Sequence, residues 1–154
     1  MLKWLWLSVV VIALDQITKL LASAQLVMHQ PVPVLPSFNL TLMHNSGAAF
    51  SFLSQAGGWQ RWFFVVIAVV VSVVLTLWLH RLPRHQTWLA LALALILGGA
   101  LGNVWDRIML GYVVDFVDLY YGDWHWPAFN VADSAITLGA VLLVLDAVRG
   151  ERRA

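Results

Sequence analysis

Two aspartates, Asp115 and Asp133, sit in short polar breaks of a chain that is otherwise nearly all apolar. Asp115 lies in Gly111-Tyr112-Val113-Val114-Asp115-Phe116, and Asp133 in Phe129-Asn130-Val131-Ala132-Asp133-Ser134. A carboxylate at membrane depth costs about 3 kcal/mol or more, so it marks a functional position by default. Two carboxylates brought close together cannot both ionise readily and tend to share one proton. The ionised member can then take a proton from water, while the protonated member polarises a carbonyl and later protonates a leaving amine. Such a pair hydrolyses an amide with no metal, thiol or serine, and its titration belongs to the pair rather than to either residue.

The other acids are less suited to that work. Asp15 and Lys19 are four apart, hence on one helical face and able to pair, which spoils either as a titrating catalyst. Lys19 has a second option, snorkelling to the headgroup region. Asp106 adjoins Arg107 and reads as its ion partner, while Arg107 has the fork geometry to steady a carboxylate or a lipid phosphate. Asp118 and Asp123 fall in an aromatic loop and read as solvated. Asp146 and Glu151 fall at the opposite end of the last span and in a basic tail. The five histidines are scattered; His44 and His125 could serve as ligands, but an interfacial role suits them better. No His-Glu-x-x-His or Gly-x-Ser-x-Gly is present, and the absence of cysteine removes disulfides, thiolate nucleophiles and iron–sulfur clusters together.

Two polar motifs flank these acids. In Asn45-Ser46-Gly47-Ala48-Ala49-Phe50-Ser51, small residues allow close backbone approach, Gly47 can take positive φ, and Asn45 can hold a peptide backbone; an ordinary turn is the plainer reading. In Gly98-Gly99-Ala100-Leu101-Gly102-Asn103-Val104-Trp105-Asp106-Arg107, the glycines form the small-residue face that lets membrane helices pack closely. Asn103, Asp106 and Arg107 share one helical face.

The elements that must position these residues are membrane helices. With 61% hydrophobic and 11% charged residues, and a mean hydropathy of +0.80, the chain cannot cover a water-facing surface. Its 154 residues make a single integral-membrane domain, 1–154, and a net charge of +1 gives no nucleic-acid footprint. Four stretches reach the roughly 20 apolar residues a span requires: about 4–26, 59–79, 87–105 and 131–148. Lys3, the stretch His80-Arg81-Leu82-Pro83-Arg84-His85, and Arg149, Arg152 and Arg153 fall on one face if both termini are cytoplasmic. The two loops of about 27–58 and 106–130 then face outward, and Asp115 and Asp133 meet at the outer interface. A cleaved leader ending at Ala22-Ser23-Ala24 is the competing reading, against which Asp15 and Lys19 count as unwelcome charges near its apolar region. Within the outer loops, Phe38-Asn39-Leu40-Thr41-Leu42 alternates as a strand, the prolines at 31–36 suit an edge or extended lead-in, and residues 111–120 can supply a second strand. Tyr120, Tyr121, Trp124 and Trp126 form an aromatic cluster suited to the headgroup zone.

Taken in order, Asp15-Gln16-x-Thr18-Lys19, Asn45-x-Gly47-Ala48-Ala49-Phe50, Gly98-Gly99-Ala100-x-Gly102-Asn103-x-x-Asp106-Arg107, Gly111-x-Val113-Val114-Asp115-Phe116 and Phe129-Asn130-x-Ala132-Asp133-Ser134 make the chain resemble the bacterial lipoprotein signal peptidase (signal peptidase type II) family. The resemblance covers nearly the whole chain. It implies an all-α membrane protein of four transmembrane helices with a small periplasmic β-cradle and a mobile outer loop or helix segment. It places a catalytic dyad on Asp115 and Asp133, site-lining or supporting roles on Asn45, Gly99, Asn103, Arg107, Asn130 and Ala132, and supporting polar roles on Asp15 and Lys19. It also implies a diacylglyceryl-prolipoprotein substrate cut just before its lipidated cysteine, inhibition by globomycin-type peptides, contact with membrane lipids, no cofactor or metal, a monomer, and a site on the outer side of the bacterial inner membrane. A proton- or ion-coupled transporter is the alternative from another class, since intramembrane carboxylates also serve as relays; it predicts acids spaced across the bilayer, whereas the unpaired ones here cluster at one side. A non-catalytic scaffold predicts loss of one aspartate, and both are present.

Overall fold

The computed structural model describes residues 1–47 and 58–151, with side chains to residue 148. Ala48, Ala49, Phe50 and Ser51 of the Asn45 motif, the expected outer loop or helix segment, and Arg152 and Arg153 lie outside the described residues. After a short 3₁₀ turn at Leu2–Trp4 come α1 (Leu5–Gln25), β1 (Val32–Leu35), β2 (Phe38–Asn45), α2 (Trp59–Arg81), α3 (Thr87–Met109), β3 (Val113–Tyr121), β4 (Trp124–His125) and α4 (Val131–Glu151). All four helices are long and apolar enough to cross a bilayer. The four expected spans are therefore present, and the strands fall in the two loops expected to carry them.

α3 is the central helix. Of its apolar span 67% is buried, against 28%, 22% and 17% in α1, α2 and α4, and it packs on all three. Glycine makes that possible. A Cβ on Gly98 would stand 2.8 Å from Val11 Cβ and 2.9 Å from the Ser8 carbonyl of α1. On Gly99 it would collide with the Ala132 carbonyl of α4 and reach 2.7 Å from Ile136 Cγ1. The small-residue stripe thus brings α1 and α4 into backbone contact with α3, as lipid-embedded helices require in the absence of a hydrophobic drive between them. Gly99→Ala forces the first turn of α4, which carries Asp133, away from α3. It is expected to cost about 1–3 kcal/mol as an overpacking substitution, read as a lower melting temperature in detergent.

The strands form one antiparallel meander, β1-β2-β3-β4, at the end of the bundle where α1 and α3 finish and α2 and α4 begin. Proline-bearing β1 is the outer edge, as its missing N–H donor allows. It turns into β2 through Pro36 and Ser37, the latter at φ 66°, as the second central position of a type II turn requires. β3 turns into β4 through Gly122, whose φ of 60° opens a type II′ hairpin. Phe129 then bonds back to the sheet: its carbonyl accepts from the N–H of Phe116 (3.1 Å) and Val117 (2.9 Å), and its own N–H donates to the Val117 carbonyl (3.1 Å). This bridge delivers the start of α4 beside the middle of β3.

The pairing of β2 with β3 shifts between Leu40↔Val117 and Met43↔Asp115, so β2 carries one extra residue. The shift matters because side chains alternate faces with a period of two. Asp115 and Asp118 are an odd number of residues apart and point to opposite faces of β3. Asn39 and Asn45 are an even number apart, yet Asn39 serves Asp118 and Asn45 serves Asp115. The bulge reconciles the two and re-aims Asn45.

Candidate active site

Asp115 is 2% exposed in the middle of β3. Its Oδ1 accepts from Asn130 Nδ2 at 2.7 Å and its Oδ2 from Asn45 Nδ2 at 3.1 Å. Burial pushes this carboxyl up from its ordinary value, the charge of Asp133 pushes it further, and the two amide hydrogen bonds only partly oppose them; it comes to about 7.

Asp133 is half-buried in the first turn of α4, where the helix dipole favours negative charge. Its place is set by a reciprocal cap. Asn130 Oδ1 accepts the Asp133 N–H at 2.9 Å, and Asp133 Oδ2 accepts the Asn130 N–H at 3.3 Å. This is the capping-box geometry with Asn and Asp in the two roles. The other oxygen, Oδ1, accepts from Asn103 Nδ2 at 2.7 Å. The two aspartates are therefore joined by the side chain of Asn130, which caps one and donates to the other.

Donor-only groups fix the orientation of all three asparagines. Lys19 Nζ has no acceptor capacity and lies 3.0 Å from Asn103 Oδ1, so Asn103 must turn its NH₂ toward Asp133. The Asp133 N–H occupies Asn130 Oδ1, so the Asn130 NH₂ must face Asp115. The Gly47 N–H occupies Asn45 Oδ1 at 2.9 Å, and Gly47 adopts φ 89° to deliver it, so the Asn45 NH₂ also faces Asp115. Each carboxylate consequently receives an amide donor that cannot flip.

Beneath this layer lies a buried ionic cluster. Lys19, 3% exposed, spends its three protons on Asp15 Oδ2 (2.8 Å), Asp106 Oδ2 (2.8 Å) and Asn103 Oδ1. Asp15 Oδ1 accepts the Ala132 N–H at 2.9 Å, tying α1 to the α4 terminus. Asp106 Oδ2 accepts the Val114 N–H at 3.1 Å, tying α3 to β3 one residue before Asp115. Gln16 Nε2 donates to Asp106 Oδ1 at 2.8 Å and to Asp15 Oδ2 at 3.2 Å.

Three sequence expectations are corrected here. Asp106 is the partner of Lys19, not of Arg107; the Arg107 guanidinium instead stacks over Phe64 at 5.3 Å and donates to the Asn103 carbonyl at 3.3 Å. Lys19 does not snorkel, because the pull of two buried carboxylates exceeds that of the headgroup layer. Asp118 is not solvated: it is 6% exposed and accepts from Thr41 Oγ1 at 2.8 Å, with His125 Nδ1 at 2.7 Å. Burial pushes the Asp118 carboxyl up, but hydrogen bonds from His125, Thr41 and Asn39 outweigh it and hold it below the usual range. His44, by contrast, stacks on Tyr112 at 3.9 Å between ring centroids. Gln16 was present in the motif without an assigned role, and only its one-residue offset from Asp15 hints at the shared network. The Asp15–Lys19 pair expected from the i, i+4 spacing is present, and hydrogen bonds link Asp115 to Asn45 and Asn130, and Asp133 to Asn103 and Asn130.

Four membrane-spanning helices capped by a small antiparallel sheet, with a polar cluster at their junction, define a multi-pass membrane enzyme. A solved bacterial membrane enzyme shares the architecture at a TM-score of 0.84 and 30% identity, over 96% of this chain and 88% of that one. A second such structure, also at 0.84 and 30%, covers 94% and 92%. Residues 7–149 match the family of signal peptidase (SPase) II, and the chain belongs to that family. It is 61% identical to a lipoprotein signal peptidase of Acinetobacter baumannii over 94% of this chain and 82% of that protein. It is 58% identical to that of Pseudomonas putida and 57% to that of Teredinibacter turnerae, each over 98% of this chain and 90% of the relative. Removal of signal peptides from prolipoproteins is the activity this membership carries, and the transporter reading is not favoured.

Proposed function

We propose that this chain is an aspartic endopeptidase, one 1–154 domain, that cuts diacylglyceryl-prolipoproteins just before the lipidated cysteine, with Asp115 and Asp133 as its catalytic pair. The observation that carries this is the geometry: Asn130 joins the buried Asp115 carboxyl to Asp133, and burial beside that second carboxylate raises Asp115. Burial and the neighbouring carboxylate favour placing the shared proton on Asp115, which leaves Asp133 the role of base. Asp133 takes a proton from water, whose oxygen attacks the scissile carbonyl as Asp115 polarises the carbonyl oxygen. Collapse of the tetrahedral intermediate breaks the C–N bond, and the cysteine nitrogen leaves as an amine carrying the returned proton. Asn45, Asn103 and Asn130 position the two carboxyls; Gly99 and Ala132 set the α3–α4 approach; Asp15 and Lys19 support the layer beneath. Arg107 adds positive potential near the site.

Lys3 and the His80–His85 stretch lie at the end of the bundle opposite the sheet. A cytoplasmic placement of that end, in a bacterial inner membrane, puts the pair at the outer interface, where the cleavage site of a signal peptide inserted with its N-terminus inward emerges. The protein works as a monomer among membrane lipids and is blocked by globomycin-type peptides. A gel-shift assay with a lipidated prolipoprotein tests the reading. The purified protein is expected to release the signal peptide, to be inhibited by globomycin, and to leave the unlipidated precursor intact. Its kcat/KM is expected to fall above about pH 7, as Asp115 loses the proton it must donate. Undiminished rates two pH units higher would sink the assignment of Asp115 as the acid.

A further inference from the structure

An apolar groove of about 700 Å³ opens directly beside Asp133. One wall is the α4 face Asp133, Ser134, Thr137, Leu138 and Val141, a run at helical spacing. Leu119, Trp126 and Phe129 of the sheet layer overhang its upper part. Leu119, Trp126, Leu138 and Val141 are all exposed, so the groove is lined by large apolar side chains that no part of the described chain covers. It descends about 12 Å along the helix, from the carboxylate toward the middle of the span.

We propose that this groove seats one acyl chain of the substrate's diacylglyceryl group. The inference rests on the function proposed above and adds where the lipid goes. In that reading the lipid is bonded to the residue immediately after the scissile bond, so its chain must leave within a few bonds of Asp115 and Asp133. The groove begins at one of those carboxylates and runs into the bilayer. The apolar stretch of the signal peptide is the rival occupant. That stretch reaches the scissile bond only through further residues on its carbonyl side, whereas the lipid is attached to the residue directly after the bond, so a groove that starts beside Asp133 favours the acyl chain. Lipid tails are as apolar as the groove, so seating a chain there adds little affinity. Its consequence is positional: it fixes the cysteine, and therefore the scissile carbonyl, relative to Asp133.

Leu138→Trp and Val141→Trp fill the groove at lipid-facing positions where no core packing is disturbed. Each is expected to lower kcat on a dipalmitoyl lipopeptide about tenfold with KM changed less than twofold. Val144→Trp, equally exposed on α4 but outside the groove, should leave both unchanged. Wild-type protein incubated with a lipopeptide carrying a diazirine midway along one acyl chain should crosslink at Thr137, Leu138 or Val141. Crosslinks spread evenly over the four helices, or groove crosslinks obtained instead from a photoreactive leucine in the signal peptide, would overturn the proposal. So would full kcat in both groove variants. Wild-type cleavage of the same lipopeptide is the control: its absence counts against the proposed function, and its presence with no groove effect counts against the groove alone.

Discussion

Asp115→Asn is expected to reduce prolipoprotein cleavage by about 10⁴-fold, and Asp133→Asn by a comparable factor, while both proteins remain folded. Each substitution deletes a proton-transfer partner that the proposed reaction cannot replace. The structural cost is bounded by the hydrogen bonds. Asn45 and Asn130 both donate to Asp115, so a carboxamide there sets one of its own donors against an existing donor. That costs about 1–3 kcal/mol, and loss of a buried ionisable group works against it. The raised pKa fixes the sign with respect to pH. A carboxyl raised from 3.8 to about 7 on folding favours the protonated state, so it opposes folding progressively as pH climbs through that window. The Asn variant lacks this penalty, and its melting temperature should therefore depend less on pH between 5 and 8 than that of the parent. Asp118→Asn discriminates between neighbouring acids. It loses the depressed-pKa contact with His125 and Thr41, and hence some stability, but should keep substantial activity because Asp118 faces away from Asp133. Full activity in either Asp115→Asn or Asp133→Asn, measured by gel shift, would dispose of the catalytic pair.

Much of this arrangement is legible in the sequence because it is written in local patterns. Apolar runs of span length give the helices, alternation gives β2, and short polar breaks without a neighbouring cation draw attention to Asp115 and Asp133. The Asn130-x-x-Asp133 cap is also local: it is a short-range motif at a helix start. What the sequence hides is pairing across elements. Nothing near Asp106 shows that Lys19, on another helix, attracts it more than the adjacent Arg107 does. Adjacent residues on a helix point in directions about 100° apart, and here Asp106 faces α1 while Arg107 faces Phe64. Asp118 is misread for a similar reason. Its loop is polar and aromatic, but β2, whose bulge is invisible in composition, pairs Asn39 with Asp118 in regular register and brings Thr41 to it. The same bulge turns Asn45 to Asp115. One inserted residue therefore lets β2 supply hydrogen bonds to carboxylates on both faces of β3.

Lys19→Met is expected to have the second large effect, and for a reason separate from proton transfer. The ammonium is the only cation bonded to Asp15 and Asp106 among the described residues, and both carboxylates are essentially inaccessible to solvent. Removing one partner of a buried ion pair leaves uncompensated charge and costs about 3–5 kcal/mol; here two carboxylates are left. The damage reaches the site along bonds already described. Asp15 no longer has a fixed position from which to hold the Ala132 N–H, nor Asp106 the Val114 N–H, so the elements bearing Asp133 and Asp115 lose their common anchor. Asn103 Oδ1 loses its charged donor and keeps only the 3.2 Å bond from Asn130 Nδ2, so the donor it aims at Asp133 is held less firmly. The variant should accumulate poorly and melt at a markedly lower temperature in detergent. Adding Asp106→Asn should restore stability by removing one stranded charge, yet leave cleavage impaired, because the Asn103 amide still lacks its charged donor and is held by Asn130 alone. If the double variant recovered activity in step with stability, Lys19 would be a packing device alone. Recovery of melting temperature without recovery of kcat would show that the same ammonium both neutralises the bundle interior and sets the donor aimed at Asp133.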